Sequence, residues 1–302
     1  MSADSMDNLP YVAAGAMTDE AARRHYWAYA IGLQAVDGLE VSDRLRELAP
    51  DSITGTRTLS EPDALVAAYH TPGSSEYDPS ADEATEADLV SQRIAEVLAR
   101  GSFALIPDMP RIIHRQLFCD LPTDIYRPGE YKLEPLVKQE EILNGDSVLY
   151  ADPTLVEQSL RYLFDEERAA GDYGLSLVGD ELARFARFVS LVWQVHPFCE
   201  GNTRTVAVLS ALYLRHLGFA AENEPFEHHA RYFRDALVRA NYRNAPAGIL
   251  PDPTFIRGFF DDLVNNAGHP LDREQMLCPT LFDRPDLLRN ISPSLALNRE
   301  KL

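Results

Sequence analysis

The chain has 302 residues, with 28 Lys and Arg against 47 Asp and Glu, a formal net charge of −19. Surplus cation is what attracts nucleic-acid phosphates and anionic lipid surfaces, so this balance argues against non-specific binding to either. Hydrophobic residues make up 45% of the chain, enough to fill a core. Cys119, Cys199 and Cys278 are widely spaced and odd in number. They form no disulfide framework or zinc spacing, and a reducing compartment is the simplest reading. The opening stretch MSADSMDNLP has neither a basic nor an apolar signal region, and no apolar run approaches ~20 residues. The expectation is a soluble, cytoplasmic protein.

Residues 1–15 read as a loose terminus. Thr18, followed by Asp19 and Glu20, is an N-cap signal. A helix is expected from there through Trp27, Ala30, Ile31 and Val36 to Gly38. A short helix from Ser42 to Leu48 is expected to stop at Pro50, and a third to run from Glu61 to Tyr69 with Pro62 in its first turn. The Pro-, Gly-, Ser- and acid-rich stretch 71–84 is the best linker candidate, its acidic side chains forming a solvated run.

Helical signals dominate the remainder: 85–100 closed by Gly101, then 107–119, 154–170, 180–195, 202–217, 227–243 and 254–266. The 180–195 segment, with Leu182, Phe185, Phe188, Val189, Val192 and Trp193, reads as the central helix. Asn144-Gly145 between Ile142-Leu143 and Val148-Leu149-Tyr150 is a hairpin signal. The fold class is therefore mainly α, a helical bundle with one β-hairpin and a small N-terminal helical unit. The expected division is 1–72 for that unit, 73–84 for the linker, 85–270 for the main domain and 271–302 for a tail packed across the core.

One stretch stands apart: His196-Pro197-Phe198-Cys199-Glu200-Gly201-Asn202-Thr203-Arg204-Thr205, between two apolar helices. A loop entering a helix presents free backbone N–H groups and the positive end of the helix dipole, which suit an anion. Gly201 lets backbone approach that anion, Asn202 can donate to a phosphate oxygen, and Arg204 can pair with phosphate bidentately. Glu200 is a hard oxygen ligand suited to Mg²⁺, and His196 is a base that titrates near neutrality. Together they describe a nucleotide-phosphate site with its own general base. Other candidates are bland by comparison. Cys199 reads as an ordinary buried cysteine, not a nucleophile, the adjacent His228 and His229 point apart on a helix, and His25, His70, His114, His216 and His269 lack ligand partners at useful spacing.

The stretch resembles the signature of Fic domains, His-Pro-Phe-x-Asp/Glu-Gly-Asn-Gly-Arg-x-x-Arg. His196, Pro197, Phe198, Glu200, Gly201, Asn202 and Arg204 match it in register. Ile113-His114-Arg115-Gln116-Leu117-Phe118 resembles the family's early helix and Pro128-Gly129-Glu130-Tyr131 the loop after it. The 142–150 hairpin lies where the family carries a target-clamping flap, and Ala240-Asn241 resembles the helix closing an adenine pocket.

The resemblance implies a Fic fold and transfer of AMP from ATP to a Ser, Thr or Tyr hydroxyl of a target protein. His196 would be the base and Glu200 the Mg²⁺ holder. Gly201, Asn202 and Thr203 would form the anion turn, Arg204 would contact the β phosphate and Asn241 the adenine. Two positions depart from the signature. Thr203 replaces a Gly, and a β-branched residue disfavours positive φ; Ala207 replaces a second Arg that would grip the γ phosphate. A Doc-like kinase, or a weakened Fic protein acting as a binding partner, are the alternatives these departures leave, and a homodimer is left open. Leu33-Gln34-Ala35-Val36-Asp37-Gly38 resembles the family's inhibitory motif, with Asp37 for Glu. Residues 18–70 are accordingly expected to be a degenerate, antitoxin-like module, centred on Asp37 and Gly38, whose salt bridge was lost together with the missing arginine.

Overall fold

A computed structural model describes residues 20–58, 61–219 and 224–289. The N-cap expected at Thr18 and the end of the tail lie outside the described residues. Eleven α-helices are present among the described residues: α1 Glu20–Leu33, α2 Asp43–Thr54, α3 Glu61–Tyr69, α4 Thr85–Arg100, α5 Met109–Phe118, α6 Val156–Ala169, α7 Gly179–Val195, α8 Asn202–His216, α9 Glu224–Asn241, α10 Thr254–Asn265 and α11 Pro279–Asp283. The fold is mainly helical, and no described helix is long and apolar enough to cross a membrane.

The core forms around α7, whose Phe185, Val189, Val192 and Trp193 are buried against α6, α8, α9 and α10. The 3.6-residue period of its apolar side chains explains this place: they form one broad buried face, while Asp180, Arg184, Arg187 and Gln194 lie along the outer side. α1 buries Trp27, Tyr29, Ala30 and Leu33 and packs against α4 and α9. That packing is close enough to require Gly32, where a Cβ would stand 2.4 Å from the Glu227 Cα. α1 then tightens into a 3-10 turn, Gln34–Asp37, ended by Gly38 in a left-handed conformation.

Three expectations are corrected. Pro50 does not stop α2, which continues to Thr54 and is capped by Gly55. A proline removes only its own bond to the preceding turn, and Leu45, Leu48, Ala49 and Ser52 keep one face buried past it. The 142–150 segment turns at Asn144-Gly145, both at positive φ, but no strand forms among the described residues, whose one β-bridge joins Asn244 and Ile249. Ile142 and Leu143 instead wind into a 3-10 turn and point into the core. Their outer hydrogen-bonding edge is taken by the following tail: Cys278 N–H donates to the Ile142 carbonyl at 3.1 Å and Asn144 Nδ2 to the Leu281 carbonyl at 2.9 Å. Third, the stretch 71–84 is not free of structure. Pro79–Ala84 is a 3-10 turn capped by Asp78, and Asp78 N–H returns to the Tyr69 carbonyl at 3.1 Å.

Asp88 of α4 fastens α2 and α3 in place. Its buried carboxylate accepts from Ser42 N–H at 2.8 Å and from Ser42 Oγ, both half-buried, and pairs with the buried His70 Nε2 at 2.8 Å. Asp88→Ala takes the acceptor from all three. The expected loss is about 3 kcal/mol in urea unfolding; a change under ~0.5 kcal/mol would remove Asp88 as an anchor.

Candidate functional site

The loop 196–201 joins α7 to α8, and both of its ends are left-handed. His196 caps α7 at φ 50°, ψ 61°, and Gly201 precedes α8 at φ 70°. At Gly201 only glycine fits, since a Cβ would lie 2.1 Å from Phe118 Cζ. Phe118 thus seats the loop directly on α5.

Two polar groups hold the loop's shape. Asn202 bonds the Phe198 backbone twice: its Oδ1 accepts from Phe198 N–H at 2.9 Å and its Nδ2 donates to the Phe198 carbonyl at 2.7 Å. His114 of α5 bridges two segments. Its Nδ1 accepts from Gly129 N–H at 3.0 Å, which leaves Nε2 as the protonated nitrogen donating to the Glu200 carbonyl at 3.1 Å. The His114 ring stacks on Phe198 with centroids 3.9 Å apart. Burial, with the Arg204 charge adding, pushes its pKa down to about 3, so it is a neutral structural imidazole.

His196 is the opposite case. It is 3% exposed, and neither ring nitrogen has a hydrogen-bond partner. Tyr150 stacks on it at 3.9 Å and Trp193 meets it edge-on. Burial first, then the charges of Lys138, Lys132 and Arg234, hold its pKa well below that of a free imidazole. It is therefore a neutral base with a free lone pair, on a strained backbone; such unsatisfied, strained groups cluster at functional sites.

The charged groups converge from several elements. Lys138 Nζ bonds both carboxylate oxygens of Glu200 at 3.0 Å. Arg204 of α8 is 1% exposed; its Nε ion-pairs with Asp37 Oδ2 at 2.9 Å, its Nη1 donates to Gln34 Oε1 at 3.1 Å, and its Nη2 bonds Glu86 of α4. Asp37 Oδ1 also accepts from Arg234 Nη1 of α9 at 3.2 Å, and Arg234 reaches Glu140 Oε2 at 3.3 Å and the Val36 carbonyl at 3.1 Å. Asp37 therefore has salt bridges, contrary to the expected loss. Its partners are Arg204 and Arg234. Ala207, where the signature has its second Arg, is fully buried beneath α1, its carbonyl accepting from Tyr29 Oη at 2.8 Å.

Asp37, Lys138, Trp193, His196, Glu200, Gly201, Asn202, Thr203 and Arg234 enclose a cleft of about 10 Å³, roughly the smallest space that admits one water. Larger hollows, about 630 Å³ beside Ser42 and Tyr69 and about 540 Å³ beside Leu149 and Leu155, lie elsewhere. The cleft is small because side chains fill it. Thr203 lies in the first turn of α8, where no positive φ is needed, and its Oγ1 accepts from Trp193 Nε1 at 3.0 Å. Asn241 is not in the cleft's wall. Its Nδ2 ties α9 to Ser190 of α7 at 2.8 Å.

The Fic/DOC family model matches residues 107–214, from the start of α5 into α8. The chain carries a Fic/DOC domain. Members of this family are typically transferases acting on proteins. No curated protein and no solved structure matches the chain.

Lys138, Arg234, Glu86 and Gln34 were not singled out from the sequence. Two of them did leave a trace there. Arg234 falls between Ala230 and Leu237, and Glu86 four residues before Val90, so both put a charge on an otherwise buried helical stripe.

Gly201→Ala in this Fic domain forces both a clash and positive φ on a residue with a Cβ. The expected cost is about 3 kcal/mol or more in stability, and Phe118→Ala in the same chain should recover only the clash part. His114 and His196 both favour the neutral ring in the folded state. Their contribution is complete above about pH 6.5, where the unfolded chain is also neutral, and is lost as pH falls toward the folded value of about 3 for His114. Urea stability should therefore drop on acidification below pH ~6.5, with a shallower slope in His114→Gln. An unchanged slope would remove His114 as one of the responsible groups.

Proposed function

We propose that this chain transfers AMP from ATP to a Ser, Thr or Tyr hydroxyl of a target protein, and that the conformation described is its closed state. The observation that carries the reading is the His196 imidazole, buried, neutral and without a hydrogen-bond partner beside the start of α8. In this reading His196 accepts the proton of the incoming hydroxyl. The hydroxyl oxygen bonds to the α phosphorus, and the bond from that phosphorus to the bridging oxygen breaks, releasing pyrophosphate. The N–H groups that open α8 have no acceptor within the helix and face developing phosphate charge, a preorganised arrangement that suits phosphoryl-type transfer.

Glu200 is the residue that would hold Mg²⁺. One carboxylate suffices where phosphates and water complete the coordination, and the Lys138 ammonium bound to both its oxygens indicates that a cation fits there. The ion would neutralise phosphate charge. Lys138 must release Glu200 for it to enter. Closure by Asp37 supports the view that residues 18–70 restrain the site, since its carboxylate holds both Arg204 and Arg234. The three cysteines, none of them in a disulfide among the described residues, suit a cytoplasmic setting.

The test is incubation of the full chain and of Asp37→Ala with Mg²⁺, an acceptor-rich protein extract and ATP labelled at the α or, separately, the γ phosphate. Protein-bound label from the α position alone is expected, at least ~10-fold stronger for Asp37→Ala and lost in His196→Ala. Label from the γ position alone would mean phosphorylation instead. No label from either position in Asp37→Ala would sink transfer altogether.

A further inference from the structure

We propose that Arg234, on α9 and outside the 196–204 loop, is a phosphate-binding residue of this site, and that Arg234 and Arg204 together form a cradle for the polyphosphate of a nucleotide. The inference rests on the nucleotide-transfer reading above and adds a residue outside the matched segment to it.

Two guanidinium groups from different helices meet on one small anion. Arg204 Nε stands 2.9 Å from Asp37 Oδ2, and Arg234 Nη1 stands 3.2 Å from Asp37 Oδ1. A carboxylate shared in this way occupies the position a phosphate group would take, because either anion sets oxygens between the two cations: Arg234 Nη1 donates to Asp37, and the buried Arg204 Nε, which has only an ion pair with it, is left with an unused N–H for a phosphate oxygen. Asp37 belongs to a four-residue 3-10 turn at the end of α1, not to the body of a helix, so it can withdraw without unwinding its neighbours.

The two arginines remain oriented without it. Arg204 keeps Glu86 and Arg234 keeps Glu140, neither of which belongs to the Gln34–Asp37 turn. Only the edges that face Asp37 become available. Arg234 is also placed to reach a nucleotide, since it walls the same cleft as His196 and Glu200. A cation from the α8 turn has no route to this place: position 207 is alanine, sealed under Tyr29. Arg234 comes from α9 and supplies the second positive charge that a chain of phosphates needs.

Calorimetric titration of full-length Asp37→Asn with inorganic tripolyphosphate, ATP and AMP, in EDTA so that no metal contributes, tests the assignment. Asp37→Asn is expected to bind tripolyphosphate and ATP. Adding Arg234→Met should weaken both by about 10- to 100-fold, the range for losing a charge-assisted pair. Affinity for AMP, with its single phosphate, should stay within about 3-fold. Because Arg234→Met leaves the buried Glu140 without its cation, the same titration is run with Glu140→Gln added. Arg234→Lys, which keeps the charge but not the fork, serves where neither folds, with a loss of about 5-fold expected. Equal tripolyphosphate affinity with and without Arg234 would overturn the cradle while leaving the nucleotide reading intact. Absence of ATP and tripolyphosphate binding in Asp37→Asn itself would overturn that reading, and the cradle with it.

Discussion

A guanidinium at 1% exposure is costly to take out of water and is tolerated only when its charge is compensated. Arg204 is compensated from outside the matched segment: Nη1 and Nη2 donate to Gln34 and Glu86, while Nε has only the ion pair with Asp37 and no hydrogen-bond acceptor. Asp37 and Gln34 come from the end of α1 and Glu86 from the first turn of α4, while Phe118 lies under its plane, 5.0 Å from the ring centroid. Removing any one carboxylate leaves the charge under-compensated in a low-dielectric interior. This requirement makes the N-terminal helices part of the site. It also explains why α1 lies so close over α8 that Tyr29 can bond the Ala207 carbonyl.

The loop next to Arg204 divides its polar groups into two kinds. Asn202 and His114 have their hydrogen-bonding capacity matched to backbone, and Gly201 is fixed by Phe118. These residues define a shape. His196 has none of its capacity matched, even though it is as deeply buried as they are. Leaving an imidazole unpaired costs stability, and the rigid frame of its neighbours is what keeps it there. The contrast separates residues that build the site from the one that is free to act in it.

The chain order of helices was legible because amphipathic period, caps and glycine stops act locally: Gly38, Gly101 and His196–Gly201 end or begin helices where their sequence predicts. The loop was legible for the same reason, being ten consecutive residues. What could not be read was anything decided by long-range partners. The 142–150 turn kept its Asn-Gly geometry but lost its strands to the tail around Cys278 and Leu281, some 130 residues away in sequence. Asn202 was matched to phosphate from its chemistry, yet its nearest acceptor and donor are those of Phe198. Lys138, Glu86 and Arg234 carry no local motif at all, and only their places on buried stripes or near the loop after folding give them meaning.

Three of the cations near the cleft are held by carboxylates, Lys138 by Glu200, Arg204 by Asp37 and Glu86, Arg234 by Asp37 and Glu140, while Lys132 donates to the Val195 carbonyl. An anion entering such a site exchanges partners instead of meeting bare charge, so the net electrostatic gain is the difference between two similar pairings. Small differences then decide the outcome. Glu86 lies in the first turn of α4 and Glu140 is 3% exposed, whereas Asp37 is the last residue of a four-residue 3-10 turn. A site built this way is closed by one displaceable carboxylate and one displaceable ammonium. Access to the cleft is therefore governed where the end of α1 meets α8 and α9, not within the 196–201 loop alone.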